Sequence, residues 1–376
     1  IMNRYITSCF LLLAAMSTNA TDRVVSPNGT YNTISSAIAA SSDGDRVLVT
    51  PATYNENLVV STALSILSNQ EGVRYTVTGS LTLQNADGKS VTLSGARILG
   101  GVRSTGSYLN RTVIGILDSY TGFCDLDEPG IRVEMYRDSL VGDLRFSSGT
   151  IAGCTLLGTA LISTLIRLQG SSTLPEDIWI VGNILGSETS VKKGILVTST
   201  KAFHIENNVF IDNQSASSAV DLALPGDQAG PVSSILNNSF IKWTTENFPA
   251  VMNSTGTVFN LILKNNAVVR FSGGVINTLP SWPQLTQSHN VLASPTWLSP
   301  STGQPVIGSP LINAGDPDPR YLDLDLTVND AGCYGGSNSR ENFTTPMGSA
   351  VVGFMQAPRV VAQGEPVNIS VTGFDR

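Results

Sequence analysis

The stretch Phe203-His204-Ile205-Glu206-Asn207-Asn208-Val209-Phe210 places two asparagines between two short β-prone runs, and this pattern recurs along the chain. We call the second polar residue of the pair the anchor, and the other anchors are Asn183, Asn238, Asn266 and, in a weaker copy, Asn290. Successive anchors are 25, 30, 28 and 24 residues apart, within the window of about 20 to 50 residues typical of repeat architectures. The residue two positions after every anchor is apolar, so the register does not depend on the asparagines alone.

The repeat predicts a stacked β-structure. Each copy contains β-rich runs of about four to six residues and no sustained helical period. One copy cannot bury its apolar positions by itself, so successive copies must stack. Asparagine suits the corner because it tolerates the left-handed backbone region and its amide can bond the next coil. We therefore predict an all-β chain, a right-handed parallel β-helix of about ten coils.

An antiparallel β-sandwich is the alternative fold, and it predicts hairpin turns such as Asn-Gly between strands. The only Asn-Gly pair is Asn28-Gly29, which precedes the repeats. Steps of 29 and then 58 residues back from Asn183 reach Cys154 and Ala96, which sit in similar sequence. The repeat is thus expected to begin near the N-terminus and to degenerate between residues 100 and 150.

Residues 1–20 have the pattern of a secretory signal peptide. Arg4 precedes an apolar stretch that includes residues 11–16, and small and polar residues end it at Ala20. The stretch is shorter than the roughly 20 helical residues that cross a bilayer. A buried first helix is the alternative, but no capping residue or polar face accompanies the run. The mature chain, with no later membrane-spanning stretch, is expected to be secreted, extracellular or on the cell surface.

The composition excludes several protein classes. The chain has 376 residues, of which 41% are apolar, so it is not disordered. Its 22 Lys and Arg against 29 Asp and Glu do not suit a nucleic-acid binder, and its two histidines exclude a His-rich metal site. Cys9 would leave with the signal peptide, and the odd number that remains favours buried thiols over a disulfide framework. These are Cys124, Cys154 and Cys333.

The N-terminal region resembles a known superfamily. Residues 31–40 space Ile34, Ala37 and Ile38 on one helical face, and the turn Asp43-Gly44-Asp45 follows. An apolar strand and the residues Pro51, Tyr54 and Glu56 come next. This order resembles the N-terminal segment of the pectin-lyase-like right-handed parallel β-helix superfamily. The resemblance implies a β-helix with a short N-terminal capping helix, and it marks the fold because lyases, esterases and non-enzymes share that segment.

The C-terminal region resembles secreted bacterial right-handed β-helix repeat proteins. The similarity lies in residues 309–318, in Asp323-Leu324-Asp325 and in residues 329–336. Those proteins usually have Gly and Arg where this chain has Leu326 and Val328. The resemblance implies that the β-helix domain covers residues 21–336.

Residues 337–376 read as a linker and a partial C-terminal β segment. Two strands are expected, at 358–361 and 367–372. They resemble the opening of an Ig-like sandwich, but they are too few to close one. Packing on the end of the solenoid as a cap is the other arrangement.

Stacking places equivalent positions of neighbouring coils about 4.8 Å apart, so functional residues are sought in columns. Four and five positions after the anchor, three successive coils carry charged, aromatic and amide side chains. The candidate catalytic residues are Asp212, Lys242 and Arg270, and the candidate glycan-binding residues are Asn213, Trp243 and Phe271. Rings can stack on sugar faces, and charges can bond hydroxyls or uronate carboxylates. A solvated ladder of opposite charges is the alternative interpretation.

Two acidic clusters suggest calcium, which prefers oxygen ligands. The first contains Asp316, Asp318, Asp323, Asp325 and Asp330, and the second contains Asp125, Asp127 and Glu128. Neither has EF-hand spacing, so turn-forming carboxylates that cap backbone amides are the alternative.

We therefore predict a secreted β-helix that engages an extracellular polysaccharide or a surface glycan, as a non-catalytic binding or adhesive module. The alternative function is a polysaccharide lyase, in which Lys242 removes the proton α to a uronate carboxylate while a cation stabilises the enolate. Nucleic acid is not an expected partner, and Ca²⁺ is the one candidate cofactor.

Overall fold

A computed structural model describes residues 20–158, 163–170, 172–187, 193–212, 218–246, 248–277, 281–343, 350–359 and 361–375. The predicted signal peptide, apart from Ala20, lies outside these residues. The described chain forms the predicted right-handed parallel β-helix, whose coils each pass through three parallel sheets. No helix in the described ranges has the length and hydropathy needed to cross a membrane.

The three sheets are named here in the order in which a coil passes through them. Sheet 1 has twelve strands: Asp22–Val25, Arg46–Val49, Leu64–Ser68, Ser90–Ser94, Thr112–Leu117, Ile131–Tyr136, Gly149–Ala152, Ile178–Val181, Phe203–Glu206, Gln228–Leu236, Phe259–Lys264 and Leu285–Ser288. Sheet 2 has eleven strands: Thr53–Tyr54, Tyr75–Val77, Ala96–Ile98, Tyr120–Thr121, Ser139–Leu140, Thr155–Gly158, Ile184–Ser187, Val209–Asp212, Ser239–Glu246, Ala267–Phe271 and Val291–Ala293. Sheet 3 has nine strands: Leu58–Val60, Leu81–Gln84, Val102–Thr105, Cys124–Leu126, Leu144–Phe146, Thr164–Leu168, Lys193–Val197, Val220–Leu222 and Val251–Asn253.

The core is one continuous apolar column inside the coils. Alternate residues of each strand point inward, so that Val133 and Met135 are fully buried in the core while Arg132 and Glu134 lie on the outer face. All neighbouring coils pair in parallel, and their main-chain hydrogen bonds run along the axis of the solenoid. Side chains at one strand position therefore form a column on the outer surface.

The anchors form the predicted ladder. The main-chain amide of Asn183 donates to Oδ1 of Asn208 at 2.9 Å, and that of Asn208 donates to Oδ1 of Asn238 at 3.0 Å. The side-chain nitrogen of Asn208 donates to the carbonyl of Ile180 at 2.8 Å, in the preceding coil. Each anchor thus bonds both neighbouring coils, and the first four are fully buried: Asn183, Asn208, Asn238 and Asn266.

The left-handed residue of each corner is not the anchor itself, as the sequence had suggested, but the residue before it. These residues have φ between 53° and 66°: Gly153, Gly182, Asn207, Asn237, Asn265 and His289. The two asparagines of a pair therefore have different structural roles. The first adopts the turn conformation that glycine and asparagine tolerate, and the second forms the ladder.

The ladder also continues through the segment where the repeat was expected to degenerate. The amide of Cys154 donates to Asn183, that of Asp138 to the Cys154 sulfur, that of Ser119 to Asp138, and that of Ala96 to Ser119. These positions are 23, 19 and 16 residues apart, so three short coils replace the two coils of 29 residues that the spacing predicted. The pattern was hidden because serine, aspartate and cysteine occupy the anchor position.

The N-terminal cap is the helix α1, Ile34–Ala39. Thr33 is its N-cap and accepts a hydrogen bond from the Ser36 amide. The carboxylate of Glu56 accepts the amides of Ile34 and Ser35 at 2.7 and 2.9 Å. Glu56 therefore satisfies amides that a helix leaves unpaired at its start, and it ties the cap to the second coil.

Residues 309–336 lie along the outer face of sheet 2. Leu311 and Cys333 pack on the outward side chains Ile241 and Val269. The side chain of Asn207 donates to the carbonyl of Gly335 at 2.6 Å. The predicted closing segment thus covers the side of the last coils.

Leu326 has a left-handed backbone, with φ of 67°, and its side chain is exposed. Its amide donates to the carbonyl of Asp323 in a turn at 2.9 Å. A left-handed conformation costs a side-chain-bearing residue about 1 to 2 kcal/mol, which gives a physical reason for glycine at this position in the proteins that the segment resembles.

The C-terminal segment differs from the prediction in register and in place. A 3-10 helix, Arg340–Phe343, follows the β-helix, and an antiparallel hairpin is formed by Ala350–Gln356 and Ser370–Asp375. The described residues of the predicted strand at 358–361 lie instead in the loop of this hairpin. The hairpin packs on the outer face of sheet 1, because Phe354 and Phe374 bury apolar surface there.

Candidate functional site

The outer face of sheet 3 carries a column of charged side chains over four successive coils. The register pairs Arg103 with Asp125, Asp125 with Arg145, and Arg145 with Arg167. We call these four residues the arginine stripe. Because neighbouring coils are about 4.8 Å apart, three guanidinium groups follow the axis of the solenoid over a short distance.

The contacts of the stripe arginines leave part of their hydrogen-bonding capacity available to a ligand. Arg145 donates from Nε to Asp143 at 2.9 Å and lies 3.8 Å from Asp125. The guanidinium of Arg103 is exposed and lies 5.5 Å from the centre of the half-exposed Phe123 ring. Nε of Arg167 is buried and has no hydrogen-bond partner within the ranges that the structure covers. Such a donor is costly to bury unpaired.

The electrostatics of Asp125 follow from its place in the stripe. Burial raises the pKa of this carboxyl group, the Arg145 guanidinium opposes the rise, and the neighbouring carboxylates Asp127 and Asp143 add to it. The net direction is upward. The carboxylate is thus held less firmly in its charged form, although arginines lie on both sides along the axis.

The residues predicted from the sequence lie on three sheet 2 strands, with Asp212 and Phe271 at strand ends and Lys242 in the middle of its strand. Asp212 pairs in register with Lys242, but an irregularity after Ile241 breaks the register toward Arg270. Lys242 is only 2% exposed, and its Nζ lies 5.3 Å from the centre of the ring of Phe271.

Phe271 belongs to the core, and Arg270 is exposed with a left-handed φ of 63°. Trp243 lies in a sheet 2 strand, and its side chain and that of Asp212 fall outside the described part of the chain, as does Asn213 altogether. Phe271 therefore lies in the core and not on the surface on which the sequence had placed it, and Lys242 is buried beside it.

The predicted calcium ligands each have a separate partner. Asp316 accepts from Lys264, Asp318 from Arg320, Asp323 from the Gly336 amide, Asp325 from Thr327, and Asp330 from the Asn313 amide. In the second cluster, Asp125 belongs to the arginine stripe, and Asp127 and Glu128 follow it in sequence. Within the described ranges, no three His, Cys, Asp or Glu side chains converge in the manner of a metal site. The residues therefore fit turn-forming carboxylates better than a shared ligand set.

The outer face of sheet 1 holds a second polar cluster. The ring of His204 stacks on Trp179 with centroids 4.0 Å apart. Its two nitrogens lie 2.8 Å from Oγ of Ser234 and 3.1 Å from Oδ2 of Asp177. Ser234 in turn donates to the buried carboxylate of Glu206 at 2.9 Å. His204 and Trp179 each lie four residues before an anchor, so the repeat places them one coil apart, but it does not reveal this network.

Sequence reasoning missed both clusters for different reasons. The arginine stripe lies in the coils whose anchors are not asparagine, so no column could be drawn there. Glu206 was visible within the repeat, since it is a charged residue two positions before its anchor, where neighbouring coils have Val181 and Leu236. That contrast was the available signal for the cluster on sheet 1.

No family model and no curated protein matches the chain. Among solved structures, pectate lyase Pel9A is similar over 86% of this chain and 98% of its own length, with a TM-score of 0.48 and 13% identity. The pectin methylesterase from Aspergillus niger, in deglycosylated form, is similar over 72% of this chain and 85% of its own, with a TM-score of 0.30 and 15% identity. These similarities assign no role to any residue of this chain.

Proposed function

We propose that the protein binds an extended extracellular polysaccharide along the arginine stripe of sheet 3, as a non-catalytic module. The observation that carries the proposal is the register of Arg103, Arg145 and Arg167 on the outer face of sheet 3, beside the half-exposed ring of Phe123.

The chemistry of the stripe suits a linear, anionic glycan. Guanidinium groups present several fixed donors and pair with carboxylates through two hydrogen bonds. A column that repeats with each coil can contact successive units of a chain laid along the solenoid.

The lyase alternative relied on Lys242 as the general base. A base must come within hydrogen-bond reach of the proton that it removes. The ammonium group of Lys242 lies buried beside the Phe271 ring, where a polymer on the outer surface does not reach it. The geometry therefore supports binding better than elimination at that residue.

The test measures binding of the whole chain to a uronate polysaccharide and to a neutral one of similar length, by calorimetry at low and high salt. Arg145→Gln and Arg167→Gln should each weaken binding to the uronate polymer at least about tenfold, since each removes charge-assisted hydrogen bonds worth about 1.5 to 3 kcal/mol. Binding should weaken further as salt screens the charges.

Arg97→Gln is the matched control, because Arg97 is an exposed arginine on sheet 2 whose guanidinium lies over the Tyr120 ring. Equal losses for the control and the stripe variants would contradict the proposed site, and no binding to either polymer would contradict the proposed function. The same samples, incubated with and without Ca²⁺ and read for unsaturated product in the near ultraviolet, would show whether the lyase alternative holds.

A further inference from the structure

The C-terminal hairpin covers a specific part of sheet 1. The ring of Phe374 lies 5.1 Å from that of Tyr136, and the ring of Phe354 lies 5.6 Å from that of Trp179. Gly353 approaches the Tyr136 ring so closely that a Cβ atom would lie 2.8 Å from it. Tyr136 is consequently only 1% exposed, although it points away from the core of the β-helix.

Polar side chains also join the C-terminal segment to sheet 1, and they meet at Glu206. Nη2 of Arg359, in the hairpin loop, donates to Oε2 of Glu206 at 2.7 Å, across 153 residues of sequence. Asn338, from the segment after the β-helix, donates to the same oxygen at 3.2 Å. The other oxygen of Glu206 accepts from Ser234, so the carboxylate is fully satisfied while only 2% of the side chain is exposed.

The electrostatics of Glu206 agree with this geometry. Burial by itself raises the pKa of the carboxyl group, but Arg359 and His204, together with the hydrogen bonds from Ser234 and Asn338, hold the pKa below the usual value. The carboxylate is therefore buried in its charged form against these partners. Loss of Arg359 would leave a buried charge without its main partner, a strongly unfavourable state that exposure to water relieves.

Apart from its contacts with sheet 1, the hairpin has little packing to stabilise it. A two-stranded hairpin is marginally stable in water unless it packs against another surface. The hairpin leaves five large apolar side chains between 52% and 62% exposed: Val352, Met355, Val367, Ile369 and Val371. The described apolar packing of the hairpin is thus on sheet 1, where Phe354 joins a small cluster with Leu117, Tyr136, Ala152 and Val181.

We propose that the C-terminal hairpin is a latched cover over the aromatic and acidic face of sheet 1, and that the contact between Arg359 and Glu206 is the latch. Opening the latch exposes Tyr136, Trp179 and Glu206 together while the β-helix stays folded. The cover is independent of the arginine stripe, which lies on sheet 3.

The test combines hydrogen exchange with hydroxyl-radical footprinting of the whole chain. In the wild type, the hairpin amides and the Tyr136 ring should be protected. Arg359→Gln and Glu206→Gln should each speed exchange of the hairpin amides at least about tenfold and label Tyr136, while amides of the asparagine ladder keep their protection. Because neither change touches the core of the β-helix, ladder protection also reports that the variants fold.

Arg97→Gln again serves as the control and should change neither reading. Unchanged exchange and labelling in both latch variants would overturn the latch. A hairpin that exchanges freely in the wild type would overturn the cover itself.

Discussion

Asp138 occupies the position that asparagine fills in the later coils. Its Oδ1 accepts the Ser119 amide at 2.7 Å, as an anchor oxygen does, but its buried Oδ2 has no hydrogen-bond partner within the described residues. In the Asn208 coil the equivalent nitrogen donates to the carbonyl of Ile180. Burial raises the pKa of Asp138 well above its ordinary value, although the Ser119 amide opposes the rise. A protonated acid can donate like an amide, and an ionised one cannot.

Replacing the acid by its amide should therefore stabilise the protein at neutral pH. We expect Asp138→Asn to raise the free energy of unfolding by about 1 kcal/mol, since it supplies a donor where a carboxylate has none. Because the folded pKa is raised, the stability from the acid is present below its unfolded pKa, near 3.8, and is lost as pH rises through the folded pKa. The advantage of the variant should thus grow from about pH 4 upward in urea titrations.

The converse change, Asn183→Asp, is the matched control, and it should destabilise more at neutral than at acid pH. A pH-independent effect of Asp138→Asn would contradict the protonated-acid interpretation.

At the scale of elements, short pieces depend on contacts from other coils. The helix α1 has only six residues, too few to be stable alone, and its start is held by Thr33 and by the carboxylate of Glu56. Glu56, from the segment that resembles the pectin-lyase-like superfamily, thus has a structural role in this protein. It joins the cap to the coil that follows.

Removing this carboxylate should loosen the cap. We expect Glu56→Ala to lower the free energy of unfolding by about 1 to 2 kcal/mol, the range for lost helix capping, with faster exchange of the amides of Ile34 and Ser35. Glu56→Gln keeps an acceptor oxygen and should cost less. Equal losses of unfolding free energy in both variants, or no loss in either, would show that the two hydrogen bonds do not stabilise the helix.

At the scale of the whole molecule, the protein is a column of coils in which each coil contacts its two neighbours. Stability in such solenoids is a sum of coil terms and interface terms. The asparagine ladder adds a hydrogen-bonded connection to every interface between Cys154 and Asn290. A ladder residue in the middle supports two interfaces, and one at the end supports a single interface.

The cost of breaking the ladder should accordingly depend on position. Asn208→Ala removes the acceptor of the Asn183 amide and a donor to the Ile180 carbonyl, and we expect it to lower stability by about 1 to 3 kcal/mol and to broaden the urea transition. Asn290 is half-buried at the last coil, so Asn290→Ala should cost clearly less. Similar costs at both sites would mean that the ladder bonds contribute independently of their place in the column.

The sequence by itself determined the β-helix, because inward apolar positions and asparagine corners are local features that recur with every coil. It also indicated the capping helix, whose apolar residues lie on one face. Only the tertiary structure decided the surface. The four residues of the arginine stripe are 22, 20 and 22 residues apart. Their coils have no asparagine at the anchor position, and the four residues align only through hydrogen bonds between coils. The column drawn through Lys242 and Arg270 is interrupted for a related reason, since an irregularity after Ile241 breaks the register between their strands. Contacts such as that of Arg359 with Glu206 join distant residues, and a local pattern cannot encode them because their geometry exists only after the coils have stacked.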